Sequence, residues 1–148
     1  MDEVFVGIDT GPGMGMSTAW RFVREGFDLV LTSTDASKLA GIAEQLRRGT
    51  GRSVETISLD ATNFAAVQEL ADRFSARVRV LHYNAAVLEK TDVFATSVET
   101  FHHHLQVDVT GAFGAIRCFA PKMEGMGKGT ILLTRGGWPL LRTQNISH

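Results

Sequence analysis

The chain has 148 residues, 44% hydrophobic and 21% charged, which suits one domain (1–148) with a sizeable core. Fifteen basic residues against sixteen acidic ones leave a net charge of -1, which argues against a nucleic-acid surface or a polybasic membrane patch. No apolar run approaches bilayer length and no secretory signal pattern opens the sequence, so no membrane partner is expected. Cys118 is the one cysteine: an intrachain disulfide is excluded, and a reducing cytoplasm is the natural setting. Its helical, apolar surroundings point to an inert buried thiol.

Residues 4–8 (VFVGI) read as a short strand without a polar face. A glycine-dense turn follows, Asp9-Thr10-Gly11-Pro12-Gly13-Met14-Gly15. A helix then places Met16, Ala19, Trp20 and Val23 on one face and closes at Gly26. Strand, glycine turn and helix make the first half of a dinucleotide-binding unit. The backbone must reverse tightly there and let a pyrophosphate come close, which a Cβ would obstruct. The helix points free N–H groups and its positive dipole end at the phosphates. The alternative is an ordinary tight turn with no ligand.

The alternation continues. Residues 28–32 form a second strand and Ser33-Thr34-Asp35 the turn after it. Asp35 or Ser37 caps a helix carrying Leu39, Ile42, Ala43 and Leu46, ending at Gly49 or Gly51. Arg47, Arg48 and Arg52 read as a solvated helix end. Residues 54–59 are a third strand, and Asp60-Ala61-Thr62-Asn63 caps a helix with Phe64, Val67, Leu70, Ala71 and Phe74 on one side. Residues 78–82 are a fourth strand, 83–96 are irregular, 97–123 form one long helical stretch, and 130–134 a fifth strand. No repeat or low-complexity segment interrupts the series.

Strands separated by helices require crossovers, and crossovers give parallel pairing with helices on both faces. The expected fold is α/β, a Rossmann-like doubly wound parallel sheet of about five strands. Strands buried on both faces are apolar throughout, as 29–31 and 131–133 are. Ligands of such sheets bind past the carboxyl ends of the strands, where turns 9–15, 33–34, 60–61 and 84–86 would gather.

These residues together resemble the first two-thirds of a short-chain dehydrogenase/reductase, without the strands that complete that fold. The family opens with Gly-x-x-x-Gly-x-Gly. Counting back from Gly26 sets its last glycine at Gly15, the middle one at Gly13 and the first at Asp9, an aspartate. Taking Gly11 and Gly15 as the outer pair instead puts Ser17 where the third glycine belongs. Asp60-Ala61 is similar to the Asp-Val pair that meets adenine, and Asn84-Ala85-Ala86 to the Asn-Ala-Gly after the fourth strand, with Tyr83 where another asparagine is common. LQVDVTGAF (105–113) resembles the family's central helix, with Asp108 replacing its proton-relay asparagine. GTILLTRG (129–136) resembles the fifth strand, with Gly136 at the place of the catalytic serine.

The resemblance implies a nicotinamide cofactor held by Gly11, Gly13, Met14, Gly15, Ser33, Thr34, Asp60, Ala61, Asn84, Ala85 and Ala86. A carboxylate ending the second strand would favour NAD. Ser33 and Thr34 stand there instead, which leans toward NADP, although both also suit a plain turn. The family's chemistry joins a tyrosine, a lysine four residues on and a serine. Tyr83 is the one tyrosine in the chain, so no Tyr-x-x-x-Lys exists. No catalytic residue is assigned, and the chain as it stands is not expected to interconvert carbonyl and alcohol. It reads either as the N-terminal portion of a longer enzyme or as a short divergent relative.

His102-His103-His104 point about 100° apart on a helix, so no metal site is expected. The apolar loop Trp138-Pro139-Leu140-Leu141 suits a substrate, a partner or an open edge. Family members pair through the long central helix and its neighbour, which implies a homodimer or larger assembly through 97–123. The competing reading is a non-catalytic nucleotide-binding module, or an interaction protein that kept the fold and lost the ligand.

Overall fold

The computed structural model describes residues 2–89 and 92–134; the expectations for Gly136 and the 138–141 loop lie outside them. Five strands, β1 (Val4–Ile8), β2 (Asp28–Ser33), β3 (Val54–Ser58), β4 (Val78–Tyr83) and β5 (Thr130–Leu133), form one sheet in the order β3-β2-β1-β4-β5. Every pairing is parallel. Strand order reverses between β1 and β4, so the crevice of this sheet opens beyond Ile8 and Tyr83.

Helices α1 (Met14–Arg24) and α2 (Ala36–Thr50) cover one face, and α3 (Phe64–Arg73) and α5 (Gly111–Gly125) the other. The β1 side chains show how a doubly buried strand serves two cores. Val4, Val6 and Ile8 pack toward α3 and α5, while Phe5 packs with Ala19, Val23, Leu39 and Leu46 on the other face. On the α1–α2 face the Trp20 ring occupies the space a Cβ at Gly49 would need.

Helix boundaries follow local chemistry. Gly26, at φ +94°, follows the last turn of α1, and Gly51, at φ +68°, caps α2; both are conformations that glycine enters cheaply. Asp35 caps α2 by accepting the Ser37 amide, and Asn63 caps α3 by accepting the Ala66 amide.

Three expectations change. The 97–123 stretch is helical throughout but not uniformly α: Ser97 caps α4 (Val98–Leu105), a π-turn covers Gln106–Thr110, and α5 runs on to Gly125. Strand β5 is not buried on both faces; Thr130 and Leu133 are exposed, because among the described residues it has β4 on one side and no strand on the other. Phe64 leaves half its surface exposed while Val67, Leu70, Ala71 and Phe74 enter the core.

Candidate dinucleotide site

The site begins where β1 ends. Asp9 adopts φ +58°, a left-handed conformation that glycine enters freely and aspartate tolerates better than most residues. Asp9 thus stands where the backbone itself favours glycine. The Asp9 amide donates to Thr32 Oγ1 (3.3 Å), and the Thr10 amide to the Thr32 carbonyl (2.7 Å). Asn84 Nδ2 donates to the Asp9 carbonyl (2.9 Å), and its amide to Ile8 (2.9 Å). The turn is thus braced by β2 on one side and by the segment after β4 on the other.

Gly15 is buried where α1 leaves this turn. A Cβ there would lie 3.0 Å from Thr10 Cα and 3.2 Å from Asn84 Nδ2, so a side chain would force helix and turn a few tenths of an ångström apart. Gly11 and Gly13 differ: a Cβ at either would meet nothing within 4 Å. Protein packing does not demand glycine at those two places, whereas an external group coming close to the main chain would. Met14, 62% exposed, opens α1, and the N-cap position, Gly13, offers no side-chain acceptor to the first turn.

The remaining candidates line the carboxyl ends of the neighbouring strands. Ser33 is buried and Thr34 exposed, and the Leu59 amide donates to the Ser33 carbonyl (3.0 Å), bringing the ends of β2 and β3 together. Asp60 is exposed and accepts both the Thr62 amide (2.8 Å) and hydroxyl (2.7 Å), which hold its carboxyl below the usual range. Ala61 and Ala86 are half-buried and Ala85 buried. Asp35 is occupied by its own turn, accepting the Ser37 amide (3.0 Å) and hydroxyl (2.5 Å), and these bonds lower its carboxyl.

Two charges shape the crevice. The half-buried Asp9 carboxylate makes no hydrogen bond among the described residues, so it does not fill the helix's amide end; burial raises its pKa, opposed by the positive charge of Lys38. Lys38, on the first turn of α2, contacts Asp35 loosely (3.9 Å) and stays well exposed. Sequence reading missed Lys38, though its place three residues after the cap Asp35 was the available signal. It also missed that Asp108 accepts the Val87 amide (2.9 Å), fastening the segment after β4 to the π-turn.

Other expected positions have structural roles. His104 meets Glu89 (3.2 Å), Arg47 donates to the Val54 carbonyl (Nε, 3.1 Å), and Arg52 reaches Asp28 (2.9 Å) rather than ending the helix in solvent. Cys118 is buried and its thiol is raised by burial, which suits an inert side chain.

The family model for short chain dehydrogenases matches residues 6–136. The chain belongs to the short-chain dehydrogenase family. A 3-dehydrosphinganine reductase of Arabidopsis thaliana is 31% identical over 124 residues, 82% of this chain and 37% of that protein. A sulfoacetaldehyde reductase of Chromohalobacter salexigens is 31% identical over 137 residues, 86% of this chain and 53% of that one. Among solved structures, the short-chain dehydrogenase from Sphingobium yanoikuyae in complex with NADPH superimposes with a TM-score of 0.80 at 28% identity, covering 90% of this chain and 53% of its own. An NAD+-bound xylitol dehydrogenase, at 23% identity and a TM-score of 0.83, shares the fold. The chain spans about half the length of the curated relatives it matches. The fold is what those solved structures have in common with it. No helix of the described residues is long and apolar enough to cross a membrane.

Proposed function

We propose that this chain is the cofactor-binding part of an NADP(H)-dependent oxidoreductase. The observation that carries the proposal is the open amino end of α1: it lies at the reversal of strand order, has no side-chain cap, and follows two glycines that no protein contact requires. The pyrophosphate would rest on the Gly13, Met14 and Gly15 amides, with Gly11 leaving room. The adenosine half would extend along Ser33, Thr34, Asp60 and Ala61, and the nicotinamide half along Asn84, Ala85 and Ala86.

NADP is favoured over NAD because no free carboxylate ends β2. Ser33 and Thr34 are small, Asp35 is engaged by Ser37, and Lys38 offers a cation to a 2′-phosphate. When bound, the cofactor supplies hydride; this chain supplies binding and orientation. The short-chain dehydrogenase complex with NADPH supports this reading. We place the protein in the reducing cytoplasm on the strength of its single, buried cysteine.

Titration calorimetry with NADPH and NADH tests the reading. Saturable NADPH binding, about tenfold tighter than NADH, is expected, with Lys38→Glu erasing that preference. Absence of binding by either cofactor would leave the interaction-protein reading, which the half-buried Asp9 carboxylate favours. A carbonyl-reductase screen of the 148 residues is expected to show no turnover, since Tyr-x-x-x-Lys is missing.

We also propose self-association through 97–123. Val98, Phe101, Leu105, Val109 and Phe113 follow one another at helical spacing along α4, the π-turn and α5, and all are exposed. Sedimentation velocity should find a dimer or larger species at micromolar concentration. A stable monomer there counts against the assembly.

A further inference from the structure

Tyr83, the single tyrosine of the sequence, is buried at the carboxyl end of β4 and donates its hydroxyl to the Val107 carbonyl. In a regular helix that carbonyl would accept the amide of Gly111, four residues on. Gly111 instead donates to the Gln106 carbonyl, five residues back, at the end of the π-turn. No side chain fits at Gly111. A Cβ there would strike the Tyr83 hydroxyl, and would lie 3.0 Å from the Gln106 carbonyl oxygen and 3.3 Å from that of Ala61. Burial, together with the charges of Asp108, Asp9 and Asp60, pushes the phenol up to about 12, so it stays a donor at any ordinary pH.

The residues flanking this bond both reach the candidate site. Asn84, next to Tyr83, holds the Asp9 turn, and Asp108, next to Val107, accepts the Val87 amide. The segment 84–87 is therefore fastened at both ends, and the bond between Tyr83 and Val107 joins the two fastenings. We propose that Tyr83 is a positioning residue for this segment: its hydroxyl keeps the Val107 carbonyl out of the helical ladder, sustains the π-turn, and so presents Asp108 to Val87. The functional consequence, though not the coupling itself, rests on the dinucleotide reading. Without the hydroxyl, the Val107 carbonyl can recover the Gly111 amide. Removing one residue from a turn rotates what precedes it by about 100°, which carries Asp108 off Val87.

The test uses Tyr83→Phe, which keeps the ring and loses the donor. Hydrogen exchange of the Val87 amide, read by NMR on the whole chain, should quicken about tenfold, as in Asp108→Ala, while the β1 amides of Phe5 and Val6 stay protected. Asp108→Asn, which retains an acceptor oxygen, should keep Val87 protected. NADPH affinity should fall about fivefold in Tyr83→Phe. A second arm reads stability instead of exchange. Gly111→Ala should lower the melting temperature with Tyr83 present and lower it less beside Tyr83→Phe, because the atom it strikes is gone. Unchanged Val87 exchange in Tyr83→Phe, or Gly111→Ala equally damaging in both backgrounds, overturns the proposal. If the wild-type chain fails to bind NADPH while Val87 responds as stated, the coupling stands and the cofactor reading falls.

Discussion

The two ends of the sheet handle charge in opposite ways. At the amino end, Asp28 takes Arg77 (2.9 Å) as a hydrogen-bonded partner and Arg52 (2.9 Å) as an ionic contact without hydrogen-bond alignment. Asp2 adds a second contact to Arg52 (3.4 Å), and Glu3 meets Lys128 (2.8 Å) and Arg79 (3.5 Å). Acid and base neutralise one another there, and the end is closed. At the carboxyl end, α1, α2 and α3 all begin, so three positive dipole ends face the same side. Asp35 and Asn63 satisfy two of them from within the chain, while α1 has no such group. The contrast teaches that an open helix end carries information only beside closed ones. The same chain caps α2 and α3 from within and leaves α1 uncapped.

The largest way to sharpen this contrast lies at the closed end. Asp28→Ala leaves Arg52 and Arg77 partly buried without their carboxylate and should cost about 3 kcal/mol in urea unfolding, while NADPH affinity stays unchanged. A large loss of binding there would break the separation of the two ends. Next comes Gly13→Asp, which gives α1 the cap it lacks. Stability should rise by roughly 0.5 kcal/mol while NADPH binding weakens about tenfold, since the new carboxylate competes for the same amides. Stability and affinity moving together would refute the idea that this end is reserved for an anion.

Asp9→Asn is the smaller perturbation. Asp9 has a raised pKa, so its contribution is most favourable below the ordinary carboxylate range and is lost as pH rises through the folded-state value. Asparagine accepts the left-handed backbone and carries no charge. The variant should therefore gain stability, by under about 1 kcal/mol, at pH 7 and little at pH 3. It should also bind NADPH more tightly at neutral pH. A pH-independent gain would assign the effect to backbone strain instead.

Much of this architecture was legible in the residues. Strand and helix alternation, the parallel sheet and the caps at Asp35, Asn63 and Ser97 follow from apolar period and short-range hydrogen bonding, which are local properties. The glycine turn was legible too, although its three glycines do different things. Gly15 answers to packing against Thr10 and Asn84, and Gly11 and Gly13 to empty space. What stayed hidden depends on contacts distant in sequence. The π-turn at 106–110 meets a hydroxyl 24 residues away, which no helical periodicity reports. The exposure of Leu133 depends on which strand lies beside it, and a run such as Ile131-Leu132-Leu133 reads alike at an edge and in the middle. The role of Lys38 required knowing that Asp9 lies close by.

Trp20 seated against Gly49 has a practical consequence. An indole lodged between α1 and α2 senses any tilt of the first helix through its emission, and that helix begins where the phosphate is proposed to rest. With Trp138 replaced by phenylalanine, one fluorophore would report arrival of a nucleotide two turns away, so the molecule carries its own optical gauge of whether this crevice is filled.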